Sequence, residues 1–254
     1  MSTMPLYRIT DLGALPSSAN WSAAYGINNR GQVVGASAVD TAGGNHAFLW
    51  DSGNMTDLGV LPGGIGESEA WGINEAGQAA GWSSTAAGTR AFLWESGTMV
   101  DLGVLAGGTY SVAYGINDRA QVVGSSTAAG IIGRHAFLWE SGTMTDLGDL
   151  PGGDDYSSGV GINNAGQVAC SGYVTGGAHA FVWESGILTD LGDLPGGSEY
   201  SKSHAINNIG QVVGTGNSDD GIRPFLWQSG NMTDLGDVPL ADGFFSPNAI
   251  NNCG

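Results

Sequence analysis

The chain has 254 residues with 45 glycines, 24 acidic residues and only 7 lysines or arginines, which gives a formal net charge of −17 at pH 7. Nucleic acids and anionic membrane surfaces repel such a chain, so neither is expected as a partner. The two cysteines, Cys170 and Cys253, are too few for a disulfide framework or a cysteine-ligated metal, and no apolar run reaches the length of a membrane span.

One phrase recurs five times along the sequence. The phenylalanine of the "AFLW" motif, or of its variant in a given repeat, recurs at intervals of 44 or 45 residues. These phenylalanines are Phe48, Phe92, Phe137, Phe181 and Phe225. An "IN" pair and a "DLG" triplet each occur six times, at intervals of 43 to 46 residues. A constant period of this size is typical of solenoids, propellers and repeat arrays.

Each repeat predicts four short β-strands. In the first copy these are "AYGIN" (24–28), "QVVGAS" (32–37), "HAFLW" (46–50) and "MTDLG" (55–59), separated by Gly, Asn and Ser turns. The turns within a repeat are short, so neighbouring strands are expected to be antiparallel. The link from "DLG" through "LPGG" to the next "GIN" is longer, about ten residues, and is predicted to carry the chain to the next sheet.

Four antiparallel strands in about 44 residues correspond to one propeller blade. The sequence therefore predicts an all-β fold, a single β-propeller domain over residues 1–254. Its repeat units are 14–59, 60–103, 104–148, 149–192 and 193–236. A leftover strand at each end, 6–13 and 246–252, predicts a partial blade in a five- or six-position ring. We interpret the chain as a fragment or an imperfectly closed ring.

The aromatic and small residues of the repeat are assigned to packing. The Phe and Trp of "AFLW" share one sheet face and are predicted to pack between blades. The small residues of "GIN" and "VVG" suit the crowded centre, where inner strands converge. Cys170 stands where other copies have Gly, which predicts a small buried thiol.

The words "HAFLW", "GINxxGQVVG" and "MTDLGxLPGG" resemble the HAF-repeat family of bacterial extracellular proteins. The resemblance covers nearly the whole chain. It implies a propeller-like architecture and an extracellular or cell-surface location, although the opening "MSTMPLYRITDLG" lacks a signal-peptide pattern. It implies no reaction and no catalytic residues. Arg90 replaces the repeat histidine in one copy and another reads "RPFLW", which weakens any catalytic or metal role for that histidine.

The recurring polar residues are predicted to be structural. His46, His135 and His179 occur one per blade, too far apart to share a metal unless they point at the axis. The Asp of "DLG" is expected to accept backbone N–H groups in a turn. The Asn and Gln of "INxxGQ" are interpreted as turn and ladder hydrogen bonds. No catalytic residue, metal ligand or cofactor is predicted from them.

Weak calcium binding by loop carboxylates stays an alternative to simple solvation. These carboxylates are Glu67, Glu69, Asp154, Asp155, Glu199, Asp219, Asp220 and Asp242. None of them matches an EF-hand loop. An enzyme is also possible in principle, a hydrolase or lyase using the axial channel, with His204, Asn248 and Glu69 as its mild candidates. No "GxSxG" elbow and no convincing carboxylate pair supports it.

Two positions of the repeat vary in a patterned way. Six residues before the repeat Ile stand Trp21, Glu67, Tyr110, Tyr156, Tyr200 and Phe244. Two residues before it stand Tyr25, Trp71, Tyr114, Val160, His204 and Asn248. In an extended strand both positions lie on one side. The predicted ligand-binding residues are therefore Trp21, Tyr25, Trp71, Tyr110, Tyr114, Tyr156, Tyr200, His204 and Phe244. The alternative is that these side chains fill gaps between blades at the sheet rim.

The leading prediction is a non-enzymatic extracellular protein that binds a carbohydrate, another extracellular polymer or a protein ligand through its interblade loops. Weak contacts repeated on several blades would add up through avidity. A structural repeat scaffold without a ligand is the first alternative, since two chains could form a homo-oligomer by completing each other's open blade. The enzyme is the second alternative.

Overall fold

The structure is a computed structural model that describes residues 9–16, 20–39, 44–236 and 246–253. These residues contain twenty strands in five four-stranded antiparallel sheets, each with its strands in sequence order. The first strand of each sheet lies against the first strand of the next. The fold is the predicted all-β propeller with five complete blades.

The strand bounds follow the repeat closely. Blade one contains β1 (Ser22–Ile27), β2 (Val33–Ala38), β3 (Asn45–Asp51) and β4 (Asn54–Gly59). Blade two contains β5 (Gly64–Ile73), β6 (Ala79–Thr85), β7 (Gly88–Glu95) and β8 (Thr98–Asp101). Blade three contains β9 (Ser111–Ile116), β10 (Val122–Ser126), β11 (His135–Glu140) and β12 (Thr143–Gly148). Blade four contains β13 (Gly153–Ile162), β14 (Val168–Val174), β15 (Gly177–Glu184) and β16 (Ile187–Asp190). Blade five contains β17 (Ser201–Ile206), β18 (Val212–Ser218), β19 (Gly221–Gln228) and β20 (Asn231–Asp234).

The turn between the third and fourth strands has two residues in every blade. In blade three, Ser141 and Gly142 both have positive φ, at 50° and 85°. Two consecutive residues of this kind form a type I′ turn, whose twist matches that of the flanking strands. The same Ser-Gly pair, with the same signs of φ, closes the hairpin in all five blades.

The interblade link is shorter in two places than the sequence indicates. Strands β5 and β13 each have ten residues, and their first residues Gly64 and Gly153 already pair with Thr85 and Val174. A register shift separates these outer pairs from the rest of each ladder. Part of the predicted link is therefore strand, because a bulge lets the ladder resume farther out.

The core lies between neighbouring blades, as predicted. The five repeat phenylalanines are at most 1% exposed. In the interface of blades three and four, Phe181 packs with Val123, Leu147, Leu150 and Val168. The buried apolar clusters lie in these interfaces, which therefore supply most of the apolar burial that stabilises the ring.

The glycine of "VVG" makes room for this packing. A Cβ at Gly124 would lie 1.9 Å from the Val112 carbonyl oxygen and 2.8 Å from the Phe137 ring. In blade four the two small positions are exchanged. Cys170 takes the glycine's place, and it pairs with Gly159, where the other copies have Ala or Ser. Cys170 is fully buried, which confirms the predicted buried thiol, and burial raises its pKa.

The two terminal segments keep the repeat's turn contacts without forming a ladder over the described residues. The Gly13 N–H donates to Asp11 at 2.9 Å, and the Leu15 N–H donates to Ser37 Oγ at 2.9 Å. At the other end, Asn207 Nδ2 donates to the Asn251 carbonyl at 3.0 Å. In the described part of the two predicted end strands, residues 9–13 and 246–252, no strand forms, and residues 6–8 lie outside the described residues.

Candidate functional site

A β-bulge recurs in the inner strand of every blade. In blade one the ladder passes from Ala24–Gly35 to Gly26–Val34, which leaves Tyr25 as the extra residue. The same register shift occurs in the inner strands of the other four blades. The extra residues are Tyr25, Trp71, Tyr114, Val160 and His204. A bulge re-aims the side chain of its extra residue, so this variable position no longer follows the strand alternation assumed from the sequence.

The bulge residues surround one end of the central channel, which we call the aromatic mouth. Tyr25, Trp71, Val160, His204 and Asn248 line a cavity of about 300 Å³ there. On one side of this mouth, aromatic rings lie against one another.

The aromatic side of the mouth is a three-ring platform. The Trp71 indole stacks on the Tyr114 ring with centroids 5.1 Å apart and planes at 19°. The Tyr25 ring meets the Trp71 indole edge-on, with centroids 6.4 Å apart. Glu69 accepts the Trp71 indole N–H at 2.9 Å, which orients the indole. Burial, followed by the charge of Glu69, raises the pKa of Tyr25, so its hydroxyl stays neutral at physiological pH.

The opposite end of the channel, the amide mouth, is a larger cavity of about 630 Å³ lined by all five blades and residues 249–252. Asn28, Asn74, Asn117 and Asn163 each bridge two blades here. Asn117 Oδ1 accepts the N–H groups of Arg119 and Gln121, and its Nδ2 donates to Gln121 and to the Asn163 carbonyl. The predicted turn bonds of "INxxGQ" are confirmed, and they also join neighbouring blades.

A third cavity lies between blades four and five, beside the aromatic mouth. It measures about 240 Å³ and is lined by Tyr156, Tyr173, Lys202 and His204 among others. Tyr156 and Tyr173 meet edge-on with centroids 5.1 Å apart. Lys202 lies over two rings, with its Nζ 5.5 Å from the Tyr173 centroid and 5.6 Å from that of Tyr200.

The remaining predicted ligand-binding residues lie apart from these groups. Tyr110 lines a hollow with Trp71 of the preceding blade and carries the Arg134 guanidinium 4.5 Å from its ring centroid. Trp21 is 44% exposed at the open side of blade one. Phe244 lies outside the described residues. The eight described residues of this set therefore divide into an aromatic platform, a lysine-containing pocket and separate rim positions.

The repeat histidines form pairs with the "DLG" aspartates. His46, His135 and His179 lie 2.8–3.0 Å from Asp57, Asp146 and Asp190 respectively. The same aspartates accept the N–H of the following glycine, as at Gly148, where the distance is 2.8 Å. The structural role predicted for both residue types is confirmed.

The candidates for catalysis have structural partners. His204 Nε2 lies 3.2 Å from Thr215 Oγ1 and 3.4 Å from Ser246 Oγ, and Glu69 holds Trp71. Burial, followed by the charge of Lys202, lowers the pKa of His204, so its imidazole is neutral at pH 7. In the described ranges, no three His, Cys, Asp or Glu side chains are arranged to hold a metal ion. Asp242, one of the loop carboxylates, lies outside those ranges.

Sequence reasoning missed Lys202 and Tyr173. Neither occupies a position that varies in a pattern across the repeats, and so neither was singled out. The available signal was composition, because Lys202 is the only lysine in the chain.

Comparisons with known proteins identify the fold class. The chain is similar to TolB from Acinetobacter baumannii, with a TM-score of 0.56 and 11% identity over 81% of this chain and 51% of that one. It is similar to the β-propeller domain of the Trilobed protease from Pyrococcus furiosus, with a TM-score of 0.59 and 11% identity over 85% and 69%. A puromycin-hydrolysing peptidase from Mycobacterium tuberculosis gives 0.58 and 14% over 91% and 40%. The chain thus spans about half the length of TolB.

These likenesses show that the protein is a β-propeller and show the fold alone, because the identities are low. No family model matches the sequence, and no curated protein matches it. The resemblance to the HAF-repeat family therefore stays a prediction from the motifs. In the portion of the chain with described coordinates, no helix is long and apolar enough to cross a membrane.

Proposed function

We propose that this propeller is a non-enzymatic extracellular or cell-surface protein that binds a carbohydrate polymer at the aromatic mouth. The observation that carries the proposal is the stack of Trp71 on Tyr114, with Tyr25 at its edge. Aromatic faces pack against the C–H face of a pyranose ring and give a large apolar contact at little cost in conformational entropy. The resemblance to the HAF-repeat family supports the extracellular location.

The surroundings of the platform suit a ligand that is both apolar and polar. Tyr25 is 47% exposed, so its ring is available to a ligand. The hydroxyl of Tyr114 and the amide of Asn248 provide polar groups near the rings. A polymer that passes over the mouth can touch several blades at once, and weak contacts then add through effective concentration.

The test is a screen of neutral oligosaccharides followed by affinity measurements on Trp71→Ala and Tyr114→Ala. We expect each substitution to weaken binding about tenfold, which corresponds to about 1.4 kcal/mol. Ile187→Ala is the matched control. Ile187 is 68% exposed on an outer strand, so this substitution removes apolar surface away from the aromatic mouth. Unchanged affinity in folded Trp71→Ala and Tyr114→Ala would contradict the proposal. If an alanine variant unfolds, Trp71→Leu or Tyr114→Leu replaces it, because leucine fills more of the space without an aromatic face.

Assembly of chains into oligomers is a second candidate function. Leu58, Leu102, Leu147 and Leu191 are 5–7% exposed because the next blade covers each of them. Leu235, in the same repeat position of blade five, is 50% exposed. A second copy of the chain could cover this face. Mass measured at high concentration tests the idea, and a strict monomer, unchanged in Leu235→Glu, would exclude it.

A further inference from the structure

The pocket between blades four and five differs in charge from the rest of the protein. We call it the Lys202 pocket and define it by Tyr156, Ser158, Tyr173, Lys202, Ser203 and His204. No acidic residue is among the described residues that line it. In a chain with 24 acidic side chains and one lysine, an acid-free pocket around that lysine is a local positive site on a negative molecule.

The Lys202 ammonium lacks a carboxylate partner. None of the ion pairs formed between described residues includes it. Its contacts are instead the faces of Tyr173 and Tyr200. A charge-assisted hydrogen bond is stronger than an exposed contact between a cation and an aromatic ring, so an incoming carboxylate would interact more strongly with Lys202 than the two rings do.

The pocket also offers surface for a ring. Tyr156 is 36% exposed and Tyr173 is 40% exposed, with their planes at 63°. A pyranose ring can rest on one of these faces while its substituent reaches Lys202. Ser203 is 3% exposed, and its Oγ has no hydrogen-bond partner among the described residues, which leaves one hydroxyl of the wall unsatisfied.

We infer that the Lys202 pocket binds a uronate residue of the carbohydrate, with the carboxylate paired to the Lys202 ammonium and the pyranose ring against Tyr156 or Tyr173. This inference rests on the proposed carbohydrate-binding function and specifies its ligand class. His204 contributes no second positive charge, because its imidazole is neutral at pH 7. The pocket therefore recognises a single carboxylate.

The net charge of the protein limits how acidic the ligand is. At −17, the rest of the surface repels a polymer with a charge on every sugar. Screening at physiological salt reaches about 8 Å, so a lone carboxylate at Lys202 is shielded from distant acids while a run of carboxylates is not. The ligand that fits is a mostly neutral glycan with isolated uronate residues.

The test compares two xylo-oligosaccharides that differ only in a single glucuronate branch, measured by calorimetry on the intact chain. We expect the branched form to bind about tenfold more tightly than the neutral form. Lys202→Met keeps the aliphatic stem and removes the charge, so it should abolish this difference in affinity. Lys202→Arg should restore the preference. Arg30→Met is the control for net charge, because Arg30 lies at the amide mouth.

The outcomes separate this inference from the proposed function. Equal affinity for both sugars, or a preference that persists in Lys202→Met, overturns the uronate assignment, while sensitivity of neutral binding to Trp71→Ala preserves the proposed function. Failure of both sugars to bind overturns both. A peptide with one glutamate that binds as tightly as the branched sugar, and no longer binds to Lys202→Met, also overturns the assignment. The pocket would then bind a carboxylate whether or not a sugar carries it.

Discussion

The Ser157 hydroxyl accepts the N–H of Ala136 at 2.9 Å and thereby joins blade four to blade three. The same hydroxyl donates to the Gly148 carbonyl at 2.6 Å. Ser157 is fully buried, so both bonds form away from water. The equivalent serines of the other complete interfaces make the same two bonds.

Replacement of this serine tests how much one interblade bond contributes. Ser157→Ala leaves the Ala136 N–H buried without a partner, and we expect the free energy of unfolding to fall by about 1–3 kcal/mol. Ser22→Ala is the matched control, because exposed Ser22 donates only to the Gly13 carbonyl. Urea denaturation of both variants provides the measurement. Equal losses would show that the bond to Ala136 contributes little.

The asparagines of the amide mouth should not tolerate a change of donor to acceptor. Asn117→Asp keeps the shape but places a carboxylate oxygen 3.0 Å from the Asn163 carbonyl, where Nδ2 now donates. We expect a loss of at least 1–3 kcal/mol in the free energy of unfolding, roughly the cost of an unsatisfied buried polar group, and a smaller loss at acid pH. Asp118→Asn is the control, since Asn occupies that repeat position at 29, 164, 208 and 252. Melting curves at pH 4.5 and 7.5 would detect the difference.

Cys170 and Gly159 are paired on neighbouring strands of blade four, where the other blades have Gly with Ala or Ser. A Cβ at Gly159 would lie 3.2 Å from Val168 Cγ1 and 3.3 Å from Val123 Cβ, tighter than ordinary contacts. We expect Gly159→Ala to destabilise the protein by about 1–3 kcal/mol through overpacking. Combining it with Cys170→Gly recreates the Gly–Ala pair of blades one to three, and we expect the double variant to recover stability. A double-mutant cycle of urea midpoints measures the coupling, and simple additivity would argue against compensation.

His179 should make the stability of the protein depend on pH. Burial by itself lowers its pKa, but the hydrogen bond and charge of Asp190, with Asp193 and Glu199, raise the pKa above its ordinary value of 6.5. Protonated His179 is favoured in the folded state, so its contribution is complete below pH 6.5 and is lost as the pH rises through the raised pKa. The stability difference between the wild type and His179→Gln should therefore shrink from pH 5.5 to pH 8.5.

The carboxylate that faces the other ring nitrogen offers a second variant. Glu199 lies 3.6 Å from His179 Nε2, which has no hydrogen-bond partner among the described residues. Glu199→Gln removes one of the charges that favour the imidazolium, so the pH dependence should weaken. A difference that instead grows with pH would contradict the assignment.

Much of the fold was predictable from the sequence, because five copies of a motif indicate a secondary structure and a packing role that one copy leaves ambiguous. Phe137 alone is an apolar residue in a short strand, but five phenylalanines at one interval indicate one packing role. The "DLG" aspartates and the "INxxGQ" asparagines were predictable for another reason, since Asn and Asp accept nearby N–H groups wherever the chain turns. The second role of the asparagines, as links between blades, was not predictable from one repeat.

The candidate site was only partly predictable. The sequence marked the position of Tyr25, Trp71 and Tyr114 as aromatic, but it did not reveal the bulge that turns these side chains to the mouth. A bulge adds one residue to one strand of a pair, and it becomes visible only when the partner strand is in register. Lys202 shows the same limit, because the pocket that it forms requires its contact with Tyr173 in the preceding blade.

By itself, then, the sequence determined the four-stranded repeat, the buried aromatic strand and the polar turns, since these follow from side-chain alternation and turn chemistry within about 44 residues. Only the tertiary structure decided which variable side chains meet. Trp71 and Tyr114 come from different blades, and so do Tyr156 and Lys202. Their contacts arise from the angle and distance at which neighbouring sheets pack, which no single repeat encodes.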